Sequence, residues 1–156
     1  MDKKRASNSE TNLRYIMQRE HSNLMGNVHG GEMMKIMDNT AGIVAYRHSH
    51  AHRVVTASVR EMEFHMPIQV GSIVTSEGRL MHVGSSSMEI KVEAWVEDIK
   101  SYEPKFKAIT AYFIMVALNE KGKPMKVPEI RFESEQDQAL YEEGKQRYEA
   151  KNKKRE

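Results

Sequence analysis

The 156-residue sequence has no cysteine, only four prolines and a single tryptophan. Without thiols there are no disulfides, no thiolate nucleophile and no thiolate metal ligands, so any chemistry comes from carboxylates, amides, imidazoles or the backbone. The same lack suits a reducing compartment, and a cytoplasmic protein is expected. No run of about 18 apolar residues occurs, and the opening MDKKRASNSE lacks the apolar stretch of a signal peptide. Neither membrane spanning nor export is expected. No sign of charge dominates either: 24 Lys and Arg stand against 22 Asp and Glu, a formal net charge of +2. That balance gives no polybasic surface for nucleic acid.

At 39% hydrophobic and 29% charged, the chain suffices for one globular domain with a real core. Residues 1–10 are polar and expected to be frayed and disordered. Asn12 to Glu20 reads as a short first strand. From Gly31 to about Arg47 the spacing becomes helical, with Met33, Met37 and Val44 on one stripe and Met34, Ala41 and Ala45 on the next. Four stretches rich in β-branched and aromatic residues follow, Val54 to Met66, Ser72 to His82, Ser86 to Asp98 and Lys105 to Leu118, read as an antiparallel meander. In SMEIKVEAWVED, Met88, Ile90, Val92, Ala94 and Val96 share one face while Glu89, Lys91, Glu93 and Glu97 share a wet one. In VVTASVREMEF the apolar parity runs Val55, Ala57, Val59 and then jumps to Met62 and Phe64, which requires a bulge. ITAYFIMVAL is apolar on both faces and predicts a central strand covered by the helix or by another subunit, its outer face needing a partner. Glu135 to Lys151 predicts a mostly exposed terminal helix ending in the solvated KNKKRE. The fold class is α+β, with a domain over 11–132 and an appended helix and tail over 133–156.

The chemistry concentrates in GNVHGGEMMKIMDNTAG. On a helix, Asp38 lies four residues after Met34 and three before Ala41, inside the apolar stripe, where an ionised carboxylate is poorly solvated. It is either a hydrogen-bonded structural group or a functional one. Asn27 and the paired Gly30 and Gly31 precede it at the helix start. There, first-turn N–H groups lack intrahelical acceptors and glycine lets a ligand approach the backbone. A carboxylate, an amide and free N–H donors suit acyl transfer to water.

NVHGGEMMKIMDNTAGIVAYRH, VVTASVREMEFHMPIQVGS, VGSSSMEIKVEAWVED and YFIMVALNEKGKPMKVP together resemble the cytosolic acyl-CoA thioester hydrolases of the hot-dog fold. The resemblance spans about residues 12–150, including a tail, YEEGKQRY, similar to that of the brain-type members. It implies a long central helix wrapped by an antiparallel sheet, two such units pairing into a dimer, and commonly three dimers associating. It also implies an acyl-CoA substrate, with coenzyme A part of substrate and product and no separate cofactor. By motif, the family's catalytic asparagine and aspartate fall on Asn27 and Asp38, contributed by opposite subunits. Asp38 is then the general base, Asn27 positions water or carbonyl, and the Gly31 N–H polarises the carbonyl oxygen. Direct attack by Asp38 through an anhydride remains open.

Gly30, the turn formed by Val83, Gly84, Ser85 and Ser86, and Arg53 are expected to line the coenzyme A path. His29 is read as a structural loop residue. His48, His50 and His52 lack a carboxylate or thiolate partner nearby, so no metal site is assigned. The competing function is a non-catalytic CoA-ester binding module. Hot-dog dehydratases use a different His and acidic arrangement that is not found here.

Overall fold

A computed structural model describes residues 2–152, with side chains through residue 150. The chain runs β1 (Lys4–Arg5), β2 (Thr11–Ile16), α1 (Gly30–Ser49), β3 (Arg53–Phe64), β4 (Ile73–Val83), β5 (Ser87–Glu97), β6 (Phe106–Leu118), β7 (Ile130–Arg131) and α2 (Glu135–Asn152). Five strands form one antiparallel sheet in the order β2-β4-β5-β6-β3, and all five pack on α1. This is the hot-dog arrangement: a long helix wrapped by a sheet, with a further helix at the C-terminal end.

Two amphipathic patterns meet in the core. From β5, Met88, Ile90, Val92, Ala94 and Val96 are all at most 2% exposed. From α1, Met33, Ile36, Met37, Thr40, Ala41, Val44, Ala45 and His48 are buried. Gly78 lets α1 and β4 close up, because a Cβ there would lie 2.9 Å from the side chains of Thr40 and Val44. Met34, expected in the stripe, is 45% exposed and Ile36 takes a buried place instead. At about 100° per residue, Met34 and Asp38 fall on the flank of the buried arc rather than inside it.

The expected four-strand meander is a three-strand one. β4, β5 and β6 are consecutive, but β3 pairs with β6 at the far edge. β6 is thereby central in the sheet, with β5 and β3 hydrogen-bonded along its two edges, while β3 takes an edge, where bulges are tolerated. β3 indeed has register shifts between Thr56 and Ser58 and between Arg60 and Glu63, with Glu61 at φ 52°. The first shift comes earlier than the sequence suggested. Val54, Thr56 and Val59 therefore pair with the inward residues Ala117, Met115 and Phe113, and Val55 turns outward at 39% exposure.

The N-terminal residues differ from the frayed segment expected. β1 pairs in parallel with β7, the Lys4 ammonium donates to the His48 carbonyl near the end of α1, and Ser9 is buried. A cation suits that helix terminus, and backbone pairing is invisible in a polar composition. The first strand ends at Ile16 rather than Glu20, and a short 3-10 turn follows at Arg19–His21. On the outer sheet face, Glu89 is 2% exposed instead of wet, because α2 lies there. The basic end KNKKRE falls outside the residues whose side chains are described. Among the described residues, no helix is long and apolar enough to cross a membrane.

Candidate active site

Asp38 sits midway along α1, beside a trough of about 430 Å³ lined by Leu13 and Tyr15 of β2, Gly42, Ile43 and Tyr46 of α1, and Val54 and Thr56 of β3. The Thr56 hydroxyl donates to Asp38 Oδ1 at 2.6 Å and orients the carboxylate. A partly exposed, hydrogen-bonded Asp in an apolar trough is suited to holding a water for attack while avoiding the cost of full burial.

Asn27 lies elsewhere. With Asn23, Gly30, Met33, Phe64 and Met66 it lines a second cleft of about 240 Å³, which shares no lining residue with the Asp38 trough. Gly30 and Asp38 are eight residues apart, about 12 Å along the helix axis. That is too far for both to meet one carbonyl at attack distances of about 3 Å. The chain therefore presents these groups in two separate clefts.

The helix start is built differently from expectation. His29 is the N-cap of α1, and its Nδ1 accepts the Gly31 N–H at 2.9 Å. The donor assigned to the carbonyl oxygen is thus already engaged. Gly30, one residue earlier in the same first turn, faces the cleft, and its N–H forms no backbone hydrogen bond among the described residues.

Asn23 was missed in the sequence. Its Oδ1 accepts the backbone N–H groups of Met25 at 2.9 Å and Asn27 at 3.2 Å. The carboxamide is thereby fixed with its NH₂ end left to donate. The signal was present as an Asn three residues before Gly26, a turn-forming pattern overshadowed by the HGG motif. Thr56 was hidden by the early bulge, which turned an outward position inward.

Of the residues expected along the coenzyme A path, Arg53 and the Val83–Ser86 turn come to the same end of the sheet, on either side of β6. Arg53 pairs with Leu118, and the Ser86 carbonyl accepts the Ala117 N–H. Gly30 lies with the other cleft. His48 is buried with Nε2 at 2.7 Å from the Pro128 carbonyl, whereas His50 and His52 are exposed, so the three rings do not converge.

The thioesterase superfamily profile matches residues 25–103. The cytosolic acyl coenzyme A thioester hydrolase of Mus musculus is 40% identical over 143 residues, 91% of this chain. The chain spans only 37% of that relative's length. An acyl-CoA thioester hydrolase of Salmonella typhimurium is 37% identical over 74% of this chain and 88% of its own. Among solved structures, an apo-hexameric acyl-CoA thioesterase has a TM-score of 0.91 at 27% identity, covering 99% of this chain and 97% of its own. An acyl-CoA hydrolase from Staphylococcus aureus, in complex with butyryl coenzyme A, coenzyme A and coenzyme A disulfide, has a TM-score of 0.87 at 30% identity, covering 97% and 92%. Solved variants of the Staphylococcus enzyme replace an aspartate, an asparagine fifteen positions before it and a threonine seventeen after it by alanine.

Proposed function

The chain belongs to the thioesterase superfamily, and from that premise we propose that it hydrolyses acyl-CoA to a free carboxylic acid and coenzyme A at a site completed by a second subunit. The observation that carries this reading is the separation of the two half-sites, with Asp38 and Thr56 in one cleft and Gly30, Asn23 and Asn27 in the other. β3 is an edge strand carrying the exposed Val55, Val59 and Phe64. Pairing it antiparallel with a second β3 about Val59 sets the Thr56 end of one strand against the Phe64 end of the other. Asp38 of one subunit then meets Gly30 of its partner.

Asp38 takes a proton from water as the oxygen attacks the thioester carbon. The Gly30 N–H holds the oxyanion, and collapse of the tetrahedral species expels the thiolate, which is reprotonated as coenzyme A. For the asparagine, the motif points to Asn27. The fifteen-residue spacing of the Staphylococcus variants and the fixed carboxamide favour Asn23. Asn23 is our assignment for the group that holds the thioester carbonyl, with Asn27 shaping the loop. Coenzyme A enters and leaves as substrate and product, without a separate cofactor. The dimers assemble further as trimers of dimers, and the protein works in the cytoplasm without nucleic acid or membrane.

Thiol release from butyryl-CoA by the purified chain tests the activity. Binding of coenzyme A without turnover in the wild type would make the protein a binding module instead.

A further inference from the structure

We propose that His21 and His29 are positioning residues: as neutral imidazoles, each accepting a backbone N–H, they clamp the base of the hairpin that carries Asn23, and protonation opens the clamp. This rests on the thioesterase reading above and adds two residues and a proton dependence to it.

Residues 21–29 fold back on themselves as a short antiparallel hairpin. The His29 N–H donates to the His21 carbonyl at 2.7 Å, Ser22 bridges Val28, and the Asn23 N–H donates to the Asn27 carbonyl at 2.7 Å, with Gly26 at φ 82° in the tip. His21 and His29 therefore stand opposite each other at the base, and Asn23 and Asn27 form the next hydrogen-bonded pair. A two-stranded ribbon of this size is marginal in water by itself, so its placement depends on what holds its base. The outgoing strand is also tied to Ile68 and Gln69. The incoming strand, which bears Asn23, is fastened through His21.

Each imidazole joins one end of the base to the helical turn beside it. His21 Nδ1 accepts the Gln18 N–H at 2.9 Å across the 3-10 turn, and His29 Nδ1 accepts the Gly31 N–H at 2.9 Å in the first turn of α1. Gly31 leaves room for that ring, since a Cβ there would lie 3.0 Å from Nδ1. Gly30, whose N–H is assigned to the oxyanion, stands between His29 and the residue it caps. Both contacts need the neutral ring with its proton on Nε2, because an imidazolium carries hydrogen on both nitrogens and accepts nothing. Once protonated, His21 finds a new partner in Glu20, whose Oε1 is 3.7 Å from Nε2, and a cation at His29 faces the positive end of α1. The other charged and titratable groups beside the clamp are Arg19 on the 3-10 turn, Glu32 in the first turn of α1 and His65 on the wall of the Asn23 cleft. The 2.7 Å bond between the two histidine backbones couples the ends, so losing either acceptor loosens the Asn23 carboxamide and the Gly30 N–H together.

The test follows thioester absorbance during butyryl-CoA hydrolysis from about pH 7.5 to about pH 5.5, the range in which histidine is the unperturbed side chain that changes charge. The wild-type kcat should fall as pH is lowered through this range, with KM staying within about threefold. His21→Ala and His29→Ala should each lower kcat at the upper end of the range about tenfold or more, as misplaced reacting groups do. Asparagine offers its Oδ1 near the position of Nδ1 and does not titrate. His21→Asn and His29→Asn should therefore keep kcat at the upper end within about threefold of wild type, and the double asparagine variant should flatten the pH profile. Imidazole nitrogen-15 chemical shifts of the wild type give a readout that needs no substitution: at the upper end both rings should be neutral with Nδ1 unprotonated. Nδ1–H tautomers, folded alanine variants with wild-type kcat, or a double asparagine variant that keeps the wild-type pH profile overturns the clamp. Asparagine variants as slow as the alanine ones overturn the positioning role, since the ring itself would then act on the substrate. A wild-type chain inert toward butyryl-CoA overturns the thioesterase reading, and with it the catalytic meaning of the clamp, whatever the tautomers show.

Discussion

Asp38 resolves a conflict that its neighbours create. Met34 and Ala41 suggest a buried stripe, yet the side chain is only partly covered and its Oδ1 accepts from Thr56. Asp38→Ala should therefore cost little stability, within about 0.5 kcal/mol, while hydrolysis falls about 10²–10⁴-fold, the usual contribution of a positioned base. Urea melts alongside thiol release separate the two effects, and near-normal turnover in a folded variant removes Asp38 from the reaction. The two asparagines can be told apart by comparison. Asn23→Ala should depress kcat more than it raises KM, whereas Asn27→Ala, whose backbone bridges to Gln69, should have the smaller effect on kcat. The reverse ranking restores the motif reading.

α2 is fastened to the sheet by groups that are individually unremarkable in sequence. Gly144 lies over β4 so closely that a Cβ would come within 2.9 Å of the Met81 carbonyl oxygen. Arg147 donates through Nε and Nη2 to Glu89 Oε1, at 3.1 and 2.5 Å, and stacks 4.0 Å above the Tyr112 ring. Arg147→Ala strands a buried carboxylate and should destabilise the protein, or its α2 docking, by about 3–5 kcal/mol. Replacing both partners by apolar residues should recover most of that. Denaturant unfolding of single and double variants checks this, and a mild single variant would mean that water reaches Glu89.

His82, beneath the same helix, lies between Tyr141 and Tyr148 at centroid distances of 4.8 and 5.3 Å. Burial lowers its pKa most, Lys145 and Arg147 add to this, and Glu149 and Glu142 oppose it. The neutral ring is therefore favoured in the folded state. Its stabilisation is present above the ordinary histidine range near 6.5 and is lost as pH falls below it. His82→Phe should flatten the loss of stability between about pH 7 and 5 relative to wild type. An unchanged slope assigns that loss to other groups, such as the buried His48, whose pKa burial also lowers.

At the scale of the whole molecule, the proposed site takes its groups from two chains, since Asn23 and Asp38 line separate clefts. Asp38→Ala and Asn23→Ala, each inactive alone, should regain activity when co-expressed, because a mixed dimer contains one intact site and one doubly damaged site. Random pairing of equal amounts makes about half the dimers mixed, so recovery should approach a quarter of wild type if the sites act independently. Native mass spectrometry establishes that heterodimers form, and heterodimers without activity place the pair within one chain.

Composition and periodicity by themselves determined the α+β class, the span of α1, four of the sheet strands to within a few residues, the inward face of β5 and the bulged character of β3. These depend on spacing between near neighbours, which a linear pattern records directly. Tertiary structure alone decided the rest. It moved β3 beside β6, because an edge position accommodates its bulges and gives β6 a second neighbour. It also buried Glu89 under α2, engaged the Gly31 N–H with His29, tied Lys4 to the end of α1, and set Asn23 and Asp38 in separate clefts. Each of these is fixed by what another part of the chain places against a residue, and such long-range pairings leave no period in the sequence.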